Sequence, residues 1–198
     1  MTYYTLSDPC TATLEIKKSQ FLGFGFAIDS REQLMFHVEQ LRNQYPDARH
    51  VCYGYIIGDP HNTTSAGFDD DGEPSGTAGK PILNVLQHKG IGNCVVIVVR
   101  YFGGIKLGAG GLTRAYSSTA QAVVDNMNLH AFVPLSVIMI ETDFANESFV
   151  RHTLDGFNAT ILQVDYGKNV VLTVEAAQKS VQALSEKIGF YGTVKASE

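Results

Sequence analysis

The chain has 198 residues, of which 44% are apolar and 18% charged, so it is long enough for two small domains and apolar enough to fold. Its formal net charge of −5 disfavours a strongly basic, non-specific nucleic-acid binder. No apolar run approaches the roughly 20 residues of a membrane-spanning helix, and the N-terminus lacks a signal-peptide pattern. We therefore expect a cytoplasmic protein without membrane contact.

The predicted elements begin with two paired strands, residues 11–16 and 21–28, on either side of a turn at residues 17–19. A helix follows that Ser30 caps, and its core-facing residues recur at helical spacing, at Leu34, Val38 and Leu41. Residues 51–57 are apolar and predict the next strand.

Residues 58–80 form a long polar stretch, which we expect to be a loop. Loops of this length are uncommon in compact domains and usually have a function. Pro81 suits the first position of a helix over residues 82–88. Residues 94–101 form a continuous apolar run, which predicts a central strand buried on both faces.

The last third of the chain predicts a small domain of its own. Its patterns follow the order β-α-β-β-α-β of a ferredoxin-like domain. The six elements are predicted at residues 135–142, 146–156, 160–166, 170–176, 178–188 and 190–195. Pro134 precedes the first strand, so we predict domains over residues 1–133 and 134–198.

Eleven of the nineteen glycines lie between Gly67 and Gly111, and nine of these fall in two segments that are candidate functional sites. The first, the acidic loop (residues 67–81), carries four carboxylates within residues 69–73. Such oxygen ligands could hold Mg²⁺ or Ca²⁺, although the EF-hand spacing is missing, and the glycines could bind an anion through backbone amides. The alternative is a structural loop that caps a helix. The candidate residues are Asp70, Asp71, Glu73, Gly76, Thr77, Gly79 and Lys80, and we predict neither a metal nor a cofactor.

The second segment, the basic loop (residues 100–116), joins the predicted central strand to a helix over residues 112–127. Arg100, Lys106 and Arg114 surround its glycines. Because a helix N-terminus attracts anions, these cations predict contact with phosphate or an RNA backbone. The alternative is that Arg100 pairs with the acidic loop of the same chain. The glycine spacing fits neither a dinucleotide-binding fingerprint nor a P-loop.

A third candidate is the start of the strand after Asp47, where Arg49 and His50 precede Cys52. His50 could act as a general acid or base, with Cys52 as a nucleophile on the same face of the strand. The alternative is a structural histidine that the acidic loop satisfies. The three cysteines lack Cys-x-x-Cys spacing, which favours buried, reduced thiols.

Together these segments resemble the IMPACT family of YigZ-like proteins, in its bacterial two-domain form. The resemblance lies in residues 48–52, 70–81 and 98–116, which read ARHVC, DDGEPSGTAGKP and VVRYFGGIKLGAGGLTRAY. It implies an α+β protein, with an N-terminal α/β sandwich like the second domain of ribosomal protein S5. The C-terminal ferredoxin-like domain is implied to be similar to the last domain of elongation factor G. Eukaryotic relatives, which carry a further RWD domain, regulate translation by competing for the activator of a kinase that phosphorylates an initiation factor.

We therefore expect a non-enzymatic, translation-associated regulatory protein that binds RNA, the ribosome or a protein partner in translation control. Basic side chains would contact phosphate, and aromatic rings would stack on bases. The candidate contact residues are Arg49, His50, Arg100, Tyr101, Phe102, Gly103, Gly104, Lys106, Gly108, Gly110, Gly111, Arg114 and Tyr116.

The alternative function is a hydrolase of a small phosphorylated or peptide-like substrate. In that interpretation His50 is the acid or base, Arg100 stabilises an oxyanion, and carboxylates hold a metal or a water. Those carboxylates would be Asp70, Asp71 and Glu73.

Overall fold

The computed structural model describes residues 3–196, and the chain divides between Phe132 and Val133 into two compact units. The N-terminal domain contains, in chain order, β1 (Tyr3–Leu6), β2 (Cys10–Ile16), β3 (Ser19–Ala27), α1 (Arg31–Gln44), β4 (His50–Asp59), β5 (Asn62–Asp69), α2 (Gly79–Lys89), β6 (Cys94–Tyr101), α3 (Ala109–Asp125) and β7 (Leu129–Phe132). The C-terminal domain contains β8 (Leu135–Thr142), α4 (Glu147–Gly156), β9 (Thr160–Tyr166), β10 (Val170–Ala177), α5 (Val181–Ile188) and β11 (Thr193–Ala196).

The predicted first hairpin is confirmed, with β2 and β3 antiparallel and Ile16 paired with Ser19. Its two-residue turn places Lys17 and Lys18 in the left-handed region, at φ angles of 49° and 63°. Two positive φ angles are what a tight hairpin turn needs to match the twist of its strands. The turn therefore projects two lysines at the end of the hairpin.

The N-terminal domain is built on an antiparallel five-stranded sheet in the order β2-β3-β6-β4-β5. As predicted, the apolar run of β6 is the central strand, and residues 94–100 are buried. Helices α2 and α3 pack on one face, through a core that includes Ile82, Leu86 and Tyr116. Helix α1 packs on the other face. The result is the α/β sandwich that the family resemblance implies.

Helix α1 begins as predicted, since the Ser30 side chain accepts a hydrogen bond from the Gln33 amide at 3.4 Å. Its three predicted core residues are the buried ones. A capping hydroxyl and an apolar stripe at helical spacing are local signals, which explains why the sequence alone reveals this helix.

The prediction of one loop over residues 58–80 is wrong, because Asn62–Asp69 forms the edge strand β5 against β4. An edge strand has a solvent-facing side, and most side chains of β5 are exposed, so its sequence shows no apolar alternation. The next two helices begin earlier than predicted, α2 at Gly79 rather than after Pro81, and α3 at Ala109 rather than Leu112. The small sheet of β1 and β7 was not predicted, because each strand has only four residues.

The C-terminal domain has the antiparallel strand order β11-β8-β10-β9, which with α4 and α5 gives the predicted ferredoxin-like fold. One apolar cluster joins both helices to a single face of the sheet. Strands β8 and β9 have the predicted bounds. The predicted last helix is 3₁₀ over Gln178–Ser180 and α-helical afterwards, and the predicted last strand is 3₁₀ over Gly189–Tyr191 before β11 begins. Among residues 3–196, no helix is long and apolar enough to cross a membrane.

Glycines let α2 approach β4 closely enough for backbone contact. A Cβ atom at Gly54 would lie 2.5 Å from the Leu83 amide nitrogen, whereas one at Gly110 would meet no atom within 4 Å. We expect Gly54→Ala to lower the free energy of unfolding by about 1–3 kcal/mol, because the helix backbone cannot move aside. Gly110→Ala should change it by less than about 1 kcal/mol. Urea unfolding of both variants checks this, and equal effects would show that the close approach does not limit stability.

Candidate functional site

Arg100, at the end of β6, forms a buried ion pair with Glu73 of the acidic loop. The Nη1 atom lies 2.5 Å from Oε1, and the two side chains are 7% and 4% exposed. Tyr116 of α3 donates its hydroxyl proton to the same oxygen at 2.9 Å. The guanidinium carbon lies 5.5 Å from the Phe21 ring centroid and 5.7 Å from that of Phe102. Arg100 is therefore enclosed by the protein, and its charge is paired inside the chain.

Asp70 caps helix α2 from within the acidic loop. Its Oδ1 atom accepts hydrogen bonds from the amides of Ala78 and Gly79 at 3.0 and 2.8 Å, and its Oδ2 atom accepts one from Gly76 at 2.7 Å. The first amides of a helix lack partners within the helix, so this carboxylate replaces the missing side-chain cap of Ala78. It explains why α2 begins at Gly79 rather than at the proline.

Asp71 ties the acidic loop to β4 and α1. Its Oδ2 atom accepts a hydrogen bond from the Val51 amide at 2.6 Å, and its Oδ1 atom pairs with Arg42 at 2.9 Å. The Asp71 carbonyl oxygen lies 2.8 Å from Nδ1 of His50, which agrees with the interpretation of His50 as a structural histidine. The loop thus supplies hydrogen-bond partners to the residues at the start of β4.

These bonds decide between the interpretations of the acidic loop. The carboxylates of Asp70, Asp71 and Glu73 each bind protein donors, so they are not arranged around a space for a metal ion. Among the described residues, no group of three or more His, Cys, Asp or Glu side chains could hold a metal. The geometry therefore matches a structural loop rather than a metal site.

Cys52 is not activated as a nucleophile. Its thiol is fully buried, donates to the Asp70 carbonyl oxygen at 3.1 Å and contacts the Tyr116 hydroxyl at 3.4 Å. Burial, followed by the nearby carboxylate charges, raises the pKa of Cys52, so the thiolate is not populated at neutral pH. Burial raises the pKa of Tyr116 as well, which keeps its hydroxyl a proton donor to Glu73.

The basic loop meets the lysine turn of the first hairpin. A Cβ atom at Gly103 would lie 1.9 Å from the Lys18 carbonyl carbon, so only glycine allows this backbone approach. The Gly103 amide donates to the Ser19 hydroxyl at 3.1 Å. Helix α3 begins just beyond, and Gly108 gives it no side-chain cap. The turn and the loop therefore present their cations on one end of the domain.

We define the basic surface as the exposed residues that this contact assembles. Phe102 is 53% exposed and covers Arg100. The members are Lys17, Lys18, Phe102, Lys106 and Arg114. Lys17 and Lys18 are not among the residues predicted from the sequence, because the contact with Gly103 joins segments more than eighty residues apart. The sequence signal that could have identified them is the pair of adjacent lysines in a predicted tight turn.

The structure distributes the remaining candidates over the whole range of burial. The exposed ones are Arg49, Gly104, Gly108, Gly110 and Lys80. The half-buried ones are His50, Tyr101, Gly103, Gly111, Asp70, Asp71 and Gly76. The buried ones are Arg100, Tyr116, Glu73, Thr77 and Gly79. Because Arg100 and Tyr116 are buried and bonded to Glu73, we leave them out of the basic surface.

The fold defines the class of this protein. It is a two-domain α+β protein with an α/β sandwich and a ferredoxin-like domain. Residues 17–124 match the family described as the Impact N-terminal domain, and residues 140–189 match a domain of unknown function, DUF1949. The IMPACT family member YigZ of Escherichia coli (strain K12) is 36% identical over 180 residues, which cover 91% of this chain and 88% of the relative. The chain belongs to the IMPACT family.

Solved structures give two further comparisons. A crystal structure described as a hypothetical protein superimposes with a TM-score of 0.73 at 32% identity, and the match covers 100% of this chain and 98% of that one. The two-domain translational regulator Yih1 matches with a TM-score of 0.35 at 27% identity, over 62% of this chain and 46% of that one.

The ion pair of Arg100 and Glu73 is expected to be strongly coupled. Arg100→Met leaves a buried carboxylate without its cation, and Glu73→Gln leaves a buried cation, so each should cost about 3–5 kcal/mol in the free energy of unfolding. The double variant should lose clearly less than the sum. Arg42→Met removes the exposed cation that pairs with Asp71, and it should lower the free energy of unfolding by less than about 1 kcal/mol. Denaturant unfolding measures all four, and additive losses would contradict the coupling.

The burial of the thiols predicts their reactivity. In the native protein, a chromogenic disulfide reagent should leave the fully buried Cys52 and Cys94 unmodified and react slowly with the half-buried Cys10. All three should react in denaturant. Fast modification of native Cys52 would contradict the raised pKa and restore the nucleophile interpretation.

Proposed function

We propose that the chain is a non-enzymatic regulatory protein of translation that binds single-stranded RNA at the basic surface. Its membership of the IMPACT family supports the role in translation, because the family resemblance implies translation control. The RNA component is supported by the surface itself. Four exposed cations lie on the hairpin turn, the basic loop and the first turns of α3, and the same segments carry an exposed phenylalanine and a helix start that lacks a side-chain cap.

The chemistry of the surface suits a phosphate backbone with unpaired bases. Lysine and arginine side chains neutralise phosphates, and the amides at the start of α3 add partial positive charge. The Phe102 ring offers a platform on which a base can stack. Because the chain carries a net charge of −5, attraction to RNA requires a local group of cations such as this surface. The observation that supports the proposal is the contact of Gly103 with the Lys18 backbone, which places the lysine turn against the basic loop.

A titration of RNA against salt tests this proposal. The probe is a fluorescein-labelled single-stranded RNA of about 12 nucleotides, followed by anisotropy between about 50 and 200 mM KCl. The double variant Lys18→Glu/Lys106→Glu should bind more weakly and reduce the slope of log K against log[KCl] by about 1.4, because two phosphate contacts are lost. Phe102→Ala should weaken binding without changing the slope, since stacking releases no counterions.

Lys89→Glu is the matched control. Lys89 is the last residue of α2 and lies near the start of β6, whereas the basic surface lies beyond the end of β6. This variant changes the net charge by the same amount per substituted residue, at a position away from the basic surface. Equal weakening by the control, or no salt-dependent affinity in the unmodified protein, would remove RNA binding at this surface.

A further inference from the structure

A cleft of about 470 Å³ opens at one end of the C-terminal domain, where β8 ends and the segment before β11 returns. Its volume lies within the range of pockets that hold small ligands or side chains. The residues that define its chemistry are Glu141, Asp143, Asn146, Asn169, Phe190 and Tyr191. None of them belongs to the basic surface, so the cleft needs an explanation of its own.

The aromatic side of the cleft is held in place by the backbone. Phe190 is fully exposed and Tyr191 is 45% exposed. The Tyr191 carbonyl oxygen accepts a hydrogen bond from the Thr142 hydroxyl at 2.5 Å, and a Cβ atom at Gly192 would lie 2.9 Å from the Glu141 carbonyl oxygen. The fold therefore fixes the backbone that carries these two exposed rings, and exposed aromatic side chains are enriched at binding surfaces.

The opposite side of the cleft is anionic. Glu141 accepts hydrogen bonds from Asn169 at 2.9 Å and from Lys195 at 3.3 Å, and these bonds lower the pKa of its carboxyl group. The Asp143 carboxylate accepts one from the Asn146 amide at 2.9 Å. None of the described lining residues is basic. The lining would therefore repel a phosphate and attract a cation.

We propose that this cleft binds an arginine side chain of a partner protein. A guanidinium group is flat and cationic, so it can stack on Phe190 or Tyr191 while it donates hydrogen bonds to the carboxylates. One carboxylate of the cleft, that of Glu141, already pairs with a cation of the chain itself, Lys195, at 3.3 Å. Arginine is among the residues that contribute most to protein interfaces.

The surface beside the cleft defines the rest of the partner segment. Leu135, Val137 and Met139 alternate along β8 on the face opposite the core, and all three are exposed, the first at 57%. Glu141 continues the same row. A strand rises about 3.3 Å per residue, so the row extends roughly 20 Å up to the cleft. The partner segment is therefore apolar along β8 and carries its arginine at the end that reaches Glu141.

NMR titration of the full-length protein with N-acetyl-arginine amide tests the cleft. The matched ligand is N-acetyl-citrulline amide, which has nearly the same shape and no charge. Arginine amide should shift the backbone amide signals of Asn146, Asn169 and Gly192 in a saturable manner below about 50 mM, and citrulline amide should not. Glu141→Gln, Asp143→Asn and Phe190→Ala should each weaken the binding by about fivefold. Glu175→Gln, on the same sheet outside the cleft, should not.

Equal shifts from the two ligands would overturn the proposal, as would shifts that the three cleft variants leave unchanged or the absence of saturable shifts. Preference for lysine amide over arginine amide would also overturn the choice of arginine. This result is independent of the proposed RNA binding, because the affected signals and variants lie in the other domain.

Discussion

The buried ion pair of Arg100 and Glu73 is the interaction on which the arrangement of the N-terminal loops depends. It connects the central strand to the acidic loop, and through the Tyr116 hydroxyl it also reaches α3. Two charges removed from water are tolerated only when they pair closely and hydrogen bonds satisfy them. The pair therefore constrains three segments at once, and it removes the Arg100 cation of the basic loop from the surface.

The acidic loop completes this constraint, because its other carboxylates bind three neighbouring elements. Asp70 binds the first amides of α2, and Asp71 binds β4 and α1. A segment so rich in charge nevertheless has an architectural use, because each negative group meets a fixed donor of the same chain. The basic loop, together with the lysine turn that packs on Gly103, instead keeps its remaining cations exposed.

Local signals in the sequence were sufficient for much of the fold. The Ser30 cap, the apolar run of β6 and the apolar-rich sequence of β8 each specify an element through neighbouring residues. Strand β5 was missed because its stability comes from pairing with β4 rather than from apolar side chains. The site was harder to predict, because the sequence shows that Arg100 and Glu73 have opposite charges but not that a strand end and a loop bring them together. Likewise, nothing local connects Lys18 to Gly103.

In the lysine turn, exposed positive charge comes at the expense of backbone stability. Asn-Gly is the usual choice for a two-residue hairpin turn, because those residues adopt positive φ angles readily. Lys17 and Lys18 adopt them at a cost of about 1 kcal/mol or more each. The chain therefore accepts a less favourable backbone where two cations emerge, and the Gly103 backbone packs against that turn. A change that moves the turn would for this reason also displace the start of the basic loop.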